Sequence, residues 1–212
     1  MDDNKKFGSV SEEDIELAKS AEPSDLHVKK KQSFTDEILE WVESFVFAMF
    51  IVILMFTFFF RIVLVDGPSM NNTLIDGDRL IINHINYTPE RGDIVVVNSY
   101  EINKTIIKRC IGVAGDTVRI DYNENSVTVN GEKVSNSTIK ETMYDTGRFN
   151  MEYRVADNVY EYKVPDGYIF VMGDNRNNST DSRAKVGFVN LDNVLGHAIF
   201  RLFPFESFGK IK

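Results

Sequence analysis

The pattern of apolar residues divides the chain into two parts. Residues 44–60 read SFVFAMFIVILMFTFFF without a charged side chain, and IVLV at 62–65 continues the run after Arg61. About 20 apolar residues in a helix span the ~30 Å hydrocarbon core of a bilayer. Trp41 lies where an interfacial aromatic side chain is expected, and Arg61 can extend its charged group to the interface. The pattern therefore predicts one transmembrane helix over residues 41–65.

A buried core helix and a cleaved signal peptide are the two alternatives for this run. The uniform apolarity of the run and its many phenylalanines favour lipid over a protein core. A signal peptide would lie closer to the N-terminus and would end in a cleavage site of small residues. This run begins only at residue 44, and no such site follows it.

Basic residues near the run predict its orientation. Three consecutive lysines, 29–31, precede the run, and after Arg61 the next basic residue is Arg79. The positive-inside rule therefore predicts that the N-terminus is cytoplasmic and that residues 66–212 are extracytoplasmic. Residues 1–40 are polar and rich in acidic side chains, which indicates a solvated cytoplasmic tail.

Beyond Asp66 the chain has the alternation and the β-branched residues of strands. An Asn-Gly pair at 130–131 predicts a tight hairpin turn. We expect a mainly β domain, a partly closed antiparallel barrel-like structure, over residues 66–212, with a variable flap at 135–158. The predicted strand regions are 78–85, 92–100, 104–120, 118–134, 160–175 and 197–205.

Composition excludes several classes of protein. The 212 residues carry a net charge of −8, whereas a nucleic-acid-binding protein usually has a basic patch. Cys110 is the single cysteine, so no intrachain disulfide can form, and His27, His84 and His197 are too scattered to make a zinc motif. We therefore expect no nucleic acid, no metal and no other cofactor.

Two residues with nucleophile and base chemistry stand out after the apolar run. Ser69 lies in the turn GPSMN, which is not the GxSxG elbow of α/β hydrolases, so its hydroxyl needs another base. Lys108 lies in the apolar strand IIKRCIGV, on the same face as Ile106 and Cys110, with Arg109 pointing the other way. Burial in such a strand lowers the pKa of a lysine and can make it a base. Taken alone, each residue is better explained without catalysis, as a turn serine after the membrane and as a lysine that extends to water.

A third polar segment, GDNRNNSTDSR at 173–183, surrounds Ser179 with Asp174, Arg176, Asp181 and Arg183. Such a segment can orient an amine through hydroxyl groups and ion pairs. It is also compatible with an ordinary Asx-rich loop.

Together these segments resemble bacterial type I signal peptidases, the membrane-bound Ser/Lys family, in its Gram-positive form. The resemblance covers roughly residues 40–205 and is carried by GPSMNNTL, by the strands at 77–97, by IKRCIGVAGD at 107–116 and by GDNRNNSTDSR. It implies a peptidase that cuts signal peptides from secreted preproteins after small residues, as in Ala-x-Ala. Its implied partners are these preproteins and the lipid bilayer.

The same resemblance assigns roles to individual residues. Ser69 corresponds to the nucleophile and Lys108 to the general base. Ser179 corresponds to the hydroxyl that positions the lysine, and Asp181 and Arg183 to an ion pair that supports the loop. The backbone N–H of Ser69 is implied as a donor to the oxyanion.

Two positions depart from the family pattern. Asn72 stands where relatives usually carry proline, in Ser-Met-x-Pro-Thr-Leu. Gly67 stands where some members have a second oxyanion serine, so that donor would be a backbone group, a water or absent.

Other function classes lack comparable support. Self-cleaving Ser/Lys proteases of the SOS-repressor type have no membrane run. A membrane receptor or scaffold explains the anchor but not the three polar segments. The SxxK spacing of penicillin-binding enzymes occurs at Ser182–Lys185 and Ser207–Lys210 without the accompanying motifs. A Ser-His-Asp site using His84 or His197 has no local signature.

Overall fold

The computed structural model describes residues 34–59, 61–135 and 141–211. Residues 1–33 of the tail predicted at 1–40 lie outside the described residues. The chain divides into two compact units, Met1–Ala48 and Met49–Lys212.

The apolar run forms helix α1, Phe34–Phe59, and its segment Glu37–Met55 is long and apolar enough to cross a membrane. This helix ends earlier than the predicted span 41–65. Arg61–Leu64 form strand β1 instead, paired in register with Arg79–Ile82. An apolar, β-branched segment such as IVLV suits either structure, and here its backbone pairs with a neighbouring strand.

The described residues after the helix form thirteen strands, and every pair is antiparallel. Short 3-10 helices cover Met151–Tyr153, Leu191–Asn193 and Phe205–Ser207. The strands are β1 Arg61–Leu64, β2 Arg79–Asn83, β3 Ile94–Ser99, β4 Lys104–Gly112, β5 Thr117–Asp121, β6 Ser126–Val129, β7 Glu132–Lys133, β8 Arg154–Ala156, β9 Val159–Lys163, β10 Tyr168–Met172, β11 Val189–Asn190, β12 Val194–Phe203 and β13 Gly209–Lys210.

Two sheets result. The larger has the order β1-β2-β12-β3-β4-β10-β11, with β13 added to β12, and the smaller has the order β7-β6-β5-β9-β8. Neither order closes on itself, which confirms the mainly β, partly closed architecture expected from the sequence. The region 104–120, predicted as one strand, is divided into β4 and β5 by a turn in which Gly115 has a φ of +83°. This positive φ favours glycine.

Alternating side chains build a core on each sheet. In β5, Val118 and Ile120 are fully buried while Arg119 between them is exposed. Around them lies an aromatic cluster that includes Tyr160 and Tyr162. In the larger sheet, β3 is buried along most of its length, which explains its continuous run of valines.

Strand β4 has one open edge. Strand β3 pairs with it from Lys104 to Arg109, whereas β10 pairs with it only from Arg109 to Gly112. The edge of residues 104–108 that faces away from β3 therefore has no strand beside it among the described residues.

The flap predicted at 135–158 is only partly described, because 136–140 lie outside the described residues. Its later part is packed, since Phe149 is buried and the Arg183 guanidinium lies 5.0 Å from the Phe149 ring centroid. That the flap varies between relatives stays a prediction.

Gly112 lies where the chain leaves β4 towards β5, and a Cβ atom there would stand 2.7 Å from Val118 Cγ2. We expect Gly112→Ala to lower the free energy of unfolding by about 1–3 kcal/mol through overpacking. Denaturant unfolding of the detergent-solubilised protein measures this loss. In the double variant with Val118→Ala the two losses should fall short of their sum, because the clashing methyl group is gone. Strictly additive losses would contradict the contact.

Candidate active site

The turn after β1 presents Ser69 from a well-anchored backbone. Met70 and Leu74, which follow Ser69 in this turn, are buried in the core. The Leu74 N–H donates to the Met70 carbonyl at 2.9 Å. Ser69 itself is half-buried and faces a cavity. The turn therefore fixes the serine backbone while leaving its hydroxyl accessible.

Lys108 reaches this hydroxyl from β4. Its side chain is 3% exposed, and its Nζ lies 2.7 Å from Ser69 Oγ and 2.9 Å from the Ile107 carbonyl oxygen. Burial lowers the pKa of Lys108 from 10.5 to about 8, although the charges of Asp181 and Asp174 act in the opposite direction. Since one pKa unit is a factor of ten, roughly one molecule in ten carries a neutral amine at pH 7. That neutral amine can accept the serine proton.

Behind the lysine, the 173–183 loop is held by a buried ion pair. Arg183 donates two hydrogen bonds of 2.9 Å to the two carboxylate oxygens of Asp181, and both side chains are almost completely buried. Burial alone would raise the pKa of Asp181, but the charge and hydrogen bonds of Arg183 outweigh it and hold that pKa below its usual value. Asp181 also accepts the Gly173 N–H at 3.0 Å, so the pair fixes the start of the loop.

Ser179 is brought to the site by close packing. A Cβ atom at Gly173 would stand 2.3 Å from Ser179 Oγ and 2.5 Å from the Ser69 carbonyl oxygen, so only glycine fits between the two serines. Ser179 lines the same cavity as Ser69 and Lys108. Its hydroxyl is buried, makes only a loose contact with Asp181, whose pKa it helps to lower, and makes no hydrogen bond with Lys108.

The backbone N–H groups of Gly67 and Ser69, the two positions considered for oxyanion donors, differ in whether they already have a hydrogen-bond acceptor. The Gly67 N–H donates to Asp76 Oδ1 at 2.8 Å, so that amide already has an acceptor. The hydrogen bonds among the described residues include none donated by the Ser69 N–H. The Ser69 amide therefore remains available to a ligand, whereas the Gly67 amide does not.

Sequence reasoning missed Asn175 as a residue of the site. Its backbone N–H donates to the Ser69 carbonyl at 3.0 Å, and its side-chain Nδ2 donates to the Pro68 carbonyl at 3.1 Å. The residue lies inside the GDNRNNSTDSR segment, but nothing in the sequence distinguishes it from the neighbouring asparagines.

Arg109 and Asp174 connect the three polar segments. Arg109 donates to the two carboxylate oxygens of Asp174 at 2.8 and 2.7 Å, and Asp174 also accepts the hydroxyl proton of Thr73. The serine turn, β4 and the 173–183 loop thus share one buried carboxylate.

The residues of the alternative sites lie outside the cavity, except Lys185, which lines it without its SxxK partner Ser182. His84 and His197 do not line the cavity, and His197 stacks on Tyr87 with ring centroids 4.3 Å apart. The Ser182 hydroxyl accepts the Val171 N–H within the core. Across residues 34–59, 61–135 and 141–211, no group of three or more potential metal-ligating side chains is placed to hold an ion.

The cavity in front of Ser69 and Lys108 has a volume of about 1020 Å³. Part of its lining comes from residues 63–70, 102 and 104–108, which include the open edge of β4. The rest comes from residues 146, 148 and 149 of the flap and from residues 176–180, 184 and 185. The cavity therefore brings a serine hydroxyl and a buried amine together with an open strand edge.

Comparison with known proteins identifies the family of the chain. The family model described as "Signal peptidase, peptidase S26" matches residues 38–203. The chain belongs to this family. It is therefore a serine peptidase and a hydrolase, as the sequence predicts.

Individual relatives cover most of the chain. Signal peptidase I of Bacillus licheniformis is 35% identical over 86% of this chain and 97% of its own length. Signal peptidase I T of Bacillus subtilis is 36% identical over 87% and 93%, and signal peptidase IB of Staphylococcus aureus is 35% identical over 81% and 93%. A solved signal peptidase I from Enterococcus faecalis is 32% identical, with a TM-score of 0.41 over 52% of this chain and 97% of that chain.

The lowered pKa of Lys108 has a consequence for stability. The folded protein releases this proton near pH 8 and the unfolded chain near 10.5, so folding below pH 8 must bury a charged ammonium. We expect Lys108→Met to raise the free energy of unfolding by up to about 3 kcal/mol at pH 7, and this gain to shrink as pH rises towards 10.5. Chemical denaturation at several pH values measures the trend.

The exposed Lys163 of β9 provides the matched control, because Lys163→Met removes a lysine charge that folding does not bury. A Lys108→Met variant that is less stable than the wild type at pH 7 would contradict the stated cost of burial.

The backbone of the serine turn explains the departure at Asn72. Its φ is +87°, which asparagine and glycine tolerate and which proline, fixed near −65°, cannot adopt. We expect Asn72→Pro, although it restores the residue usual in relatives, to lower kcat/KM roughly ten- to a hundredfold by straining the turn. Asn72→Gly should stay within a few-fold of wild type. Cleavage assays in detergent compare the three proteins, and full activity of Asn72→Pro would rule out this backbone conformation.

Proposed function

We propose that this chain removes N-terminal signal peptides from secreted preproteins through an acyl-enzyme formed on Ser69, with Lys108 as general base. The observation that carries the proposal is the 2.7 Å separation of Lys108 Nζ and Ser69 Oγ, with the amine buried and its pKa lowered to about 8. A general base must lie within hydrogen-bond distance of the proton it removes and must be partly unprotonated at working pH.

The reaction proceeds in two halves. Neutral Lys108 takes the Ser69 proton while Oγ attacks the scissile carbonyl carbon, and the Ser69 N–H donates to the resulting oxyanion. The lysine ammonium then gives its proton to the departing amine, which becomes the N-terminus of the mature protein. In the second half Lys108 deprotonates a water molecule that attacks the ester, and the released serine recovers the proton.

Ser179, Asp181 and Arg183 are positioning residues in this scheme. The ion pair and its bond to the Gly173 N–H hold the loop, and the loop places the Ser179 hydroxyl against Gly173, next to the Ser69 backbone. The Ser179 hydroxyl has only a loose contact with Asp181, so it can turn to orient the lysine amine when substrate enters. The Gly67 amide, bonded to Asp76, is not the second oxyanion donor.

The open edge of β4 supports extended binding of the peptide. The backbone N–H and C=O groups of Cys110 point towards the β3 side, where they bond to Asp93 and Gly92. The side to which these backbone groups point alternates from one residue of a strand to the next. Those of Thr105 and Ile107 therefore point towards the open edge. A peptide can pair there as an added strand whose alternate side chains enter shallow pockets. Small residues at the first and third positions before the cut, as in Ala-x-Ala, suit such a site.

The proposal also includes the location of the protein in the cell membrane. Helix α1 serves as a single membrane anchor, with the N-terminus cytoplasmic and the β domain extracytoplasmic, as the lysines at 29–31 indicate. Signal peptides cross the same bilayer, so an anchored enzyme meets them at high effective concentration.

Purified wild type, Ser69→Ala and Lys108→Ala proteins, offered a preprotein with an Ala-x-Ala site, test the mechanism. We expect cleavage by the wild type alone, with at least a thousandfold loss in each variant, because neither residue can replace the other. Mass spectrometry locates the cut, and Lys163→Ala serves as a lysine control away from the cavity. Full activity of Lys108→Ala would disprove the Ser/Lys assignment.

The pH profile of kcat/KM tests whether Lys108 is the group that takes the proton. It should rise about tenfold per unit below pH 8, where Lys108 is mostly charged, and become level above it. A flat profile from pH 6 to about 9, under conditions where chemistry limits the rate, would show that another group is the base.

A further inference from the structure

The cavity has a basic rim that the reaction itself does not require. Lys104, Arg148 and Lys185 line it, are exposed, and form no ion pair with another described residue. Asp66 is the one acidic residue among those that line the cavity. This excess of positive charge contrasts with the net charge of −8 of the whole chain.

The three cations come from two parts of the cavity lining. Lys104 begins β4, whose open edge lines the cavity. Arg148 lies in the flap and Lys185 just after the 173–183 loop, and the two segments are joined: the Asn150 N–H donates to the Arg183 carbonyl, and Phe149 contacts the Arg183 guanidinium. Like charges that face one concave space without counter-ions raise its positive potential and favour an anionic ligand group.

Strand geometry places Lys104 along the substrate. Lys104 and Lys108 are four residues apart on one face of β4, which corresponds to roughly 13 Å at 3.3 Å per residue. An extended peptide paired with this edge has the same rise per residue. The peptide residue next to Lys104 therefore lies about four positions from the scissile bond.

We propose that Lys104, Arg148 and Lys185 form a specificity rim that favours substrates with an acidic side chain about four residues from the cut and disfavours basic ones there. The inference rests on the proposed function, since it assigns a further preference to the same cleft. The rim acts on substrate choice, and the Ser69–Lys108 pair carries out the chemistry.

The test uses the full-length enzyme in detergent and one Ala-x-Ala reference peptide that is uncharged around the cut. Asp, Asn or Lys replaces each residue from about three to six positions on either side of the bond. We expect kcat/KM to be about two- to fivefold higher for Asp than for Asn at one position, and about tenfold higher for Asp than for Lys. Added salt should reduce these ratios, because the rim is solvent-exposed.

Charge reversal identifies the residue responsible. Lys104→Glu should invert the Asp-to-Lys ratio at that position, and the double variant Arg148→Glu/Lys185→Glu should reduce it. Lys163→Glu changes the net charge by the same amount as Lys104→Glu, on an exposed strand away from the cavity, and should leave the ratio unchanged.

Two results would overturn the rim: equal rates for all charged peptides, or an equal change of the ratio in Lys163→Glu. The rim would instead recognise lipid headgroups, and the proposal would fail, if Lys104→Glu kept the wild-type ratio but lost binding to vesicles of anionic phospholipid. Failure of the proposed function is distinct, because the wild type would then not cut the uncharged reference peptide, or Ser69→Ala would still cut it.

Discussion

The burial of a single amine governs the organisation of this enzyme. A lysine with an ordinary pKa would be almost entirely protonated at neutral pH and could not take a proton from a serine. Enclosing Lys108 in β4 lowers its pKa, but the charged form then loses hydration, and folding below pH 8 bears that cost. The surrounding structure must therefore be rigid enough to prevent the amine from reaching water, and the buried contacts behind it supply this rigidity.

That rigidity comes from buried charges that are fully paired. Asp181 and Arg183 satisfy each other and also bind backbone groups, and Asp174 is satisfied by Arg109 and Thr73. These two carboxylates also act on Lys108 by favouring its charged form, so they moderate the shift that burial produces. The balance leaves the amine with a pKa of about 8, which permits both proton removal and proton return near neutral pH.

Local pattern was enough to predict the apolar helix, most strands and the apolar strand that carries Lys108, because each depends on the periodicity of nearby residues. The helix end was wrong, since IVLV carries no local signal that separates a helix from a strand, and pairing with β2 decides it. The contact between Ser69 and Lys108 joins residues 39 positions apart, so only the family resemblance could suggest it. Asn175 was missed because its role depends entirely on a distant turn meeting its loop.

The need to keep the Lys108 amine dry also explains where the other cations of the cavity lie. The proposed base, Lys108, needs a dry, apolar strand, so the cations nearest to it are either paired or, like Arg176, buried with a pKa lowered by desolvation to about 10. Cations that remain hydrated stand at the rim, where they meet solvent and, in the proposed specificity rim, the peptide rather than the amine. Solvent screening at that distance keeps their effect on the Lys108 proton small, while a peptide side chain that binds beside them is close enough to be selected. Chemistry and substrate choice can therefore be altered by substitutions at different positions of one cavity.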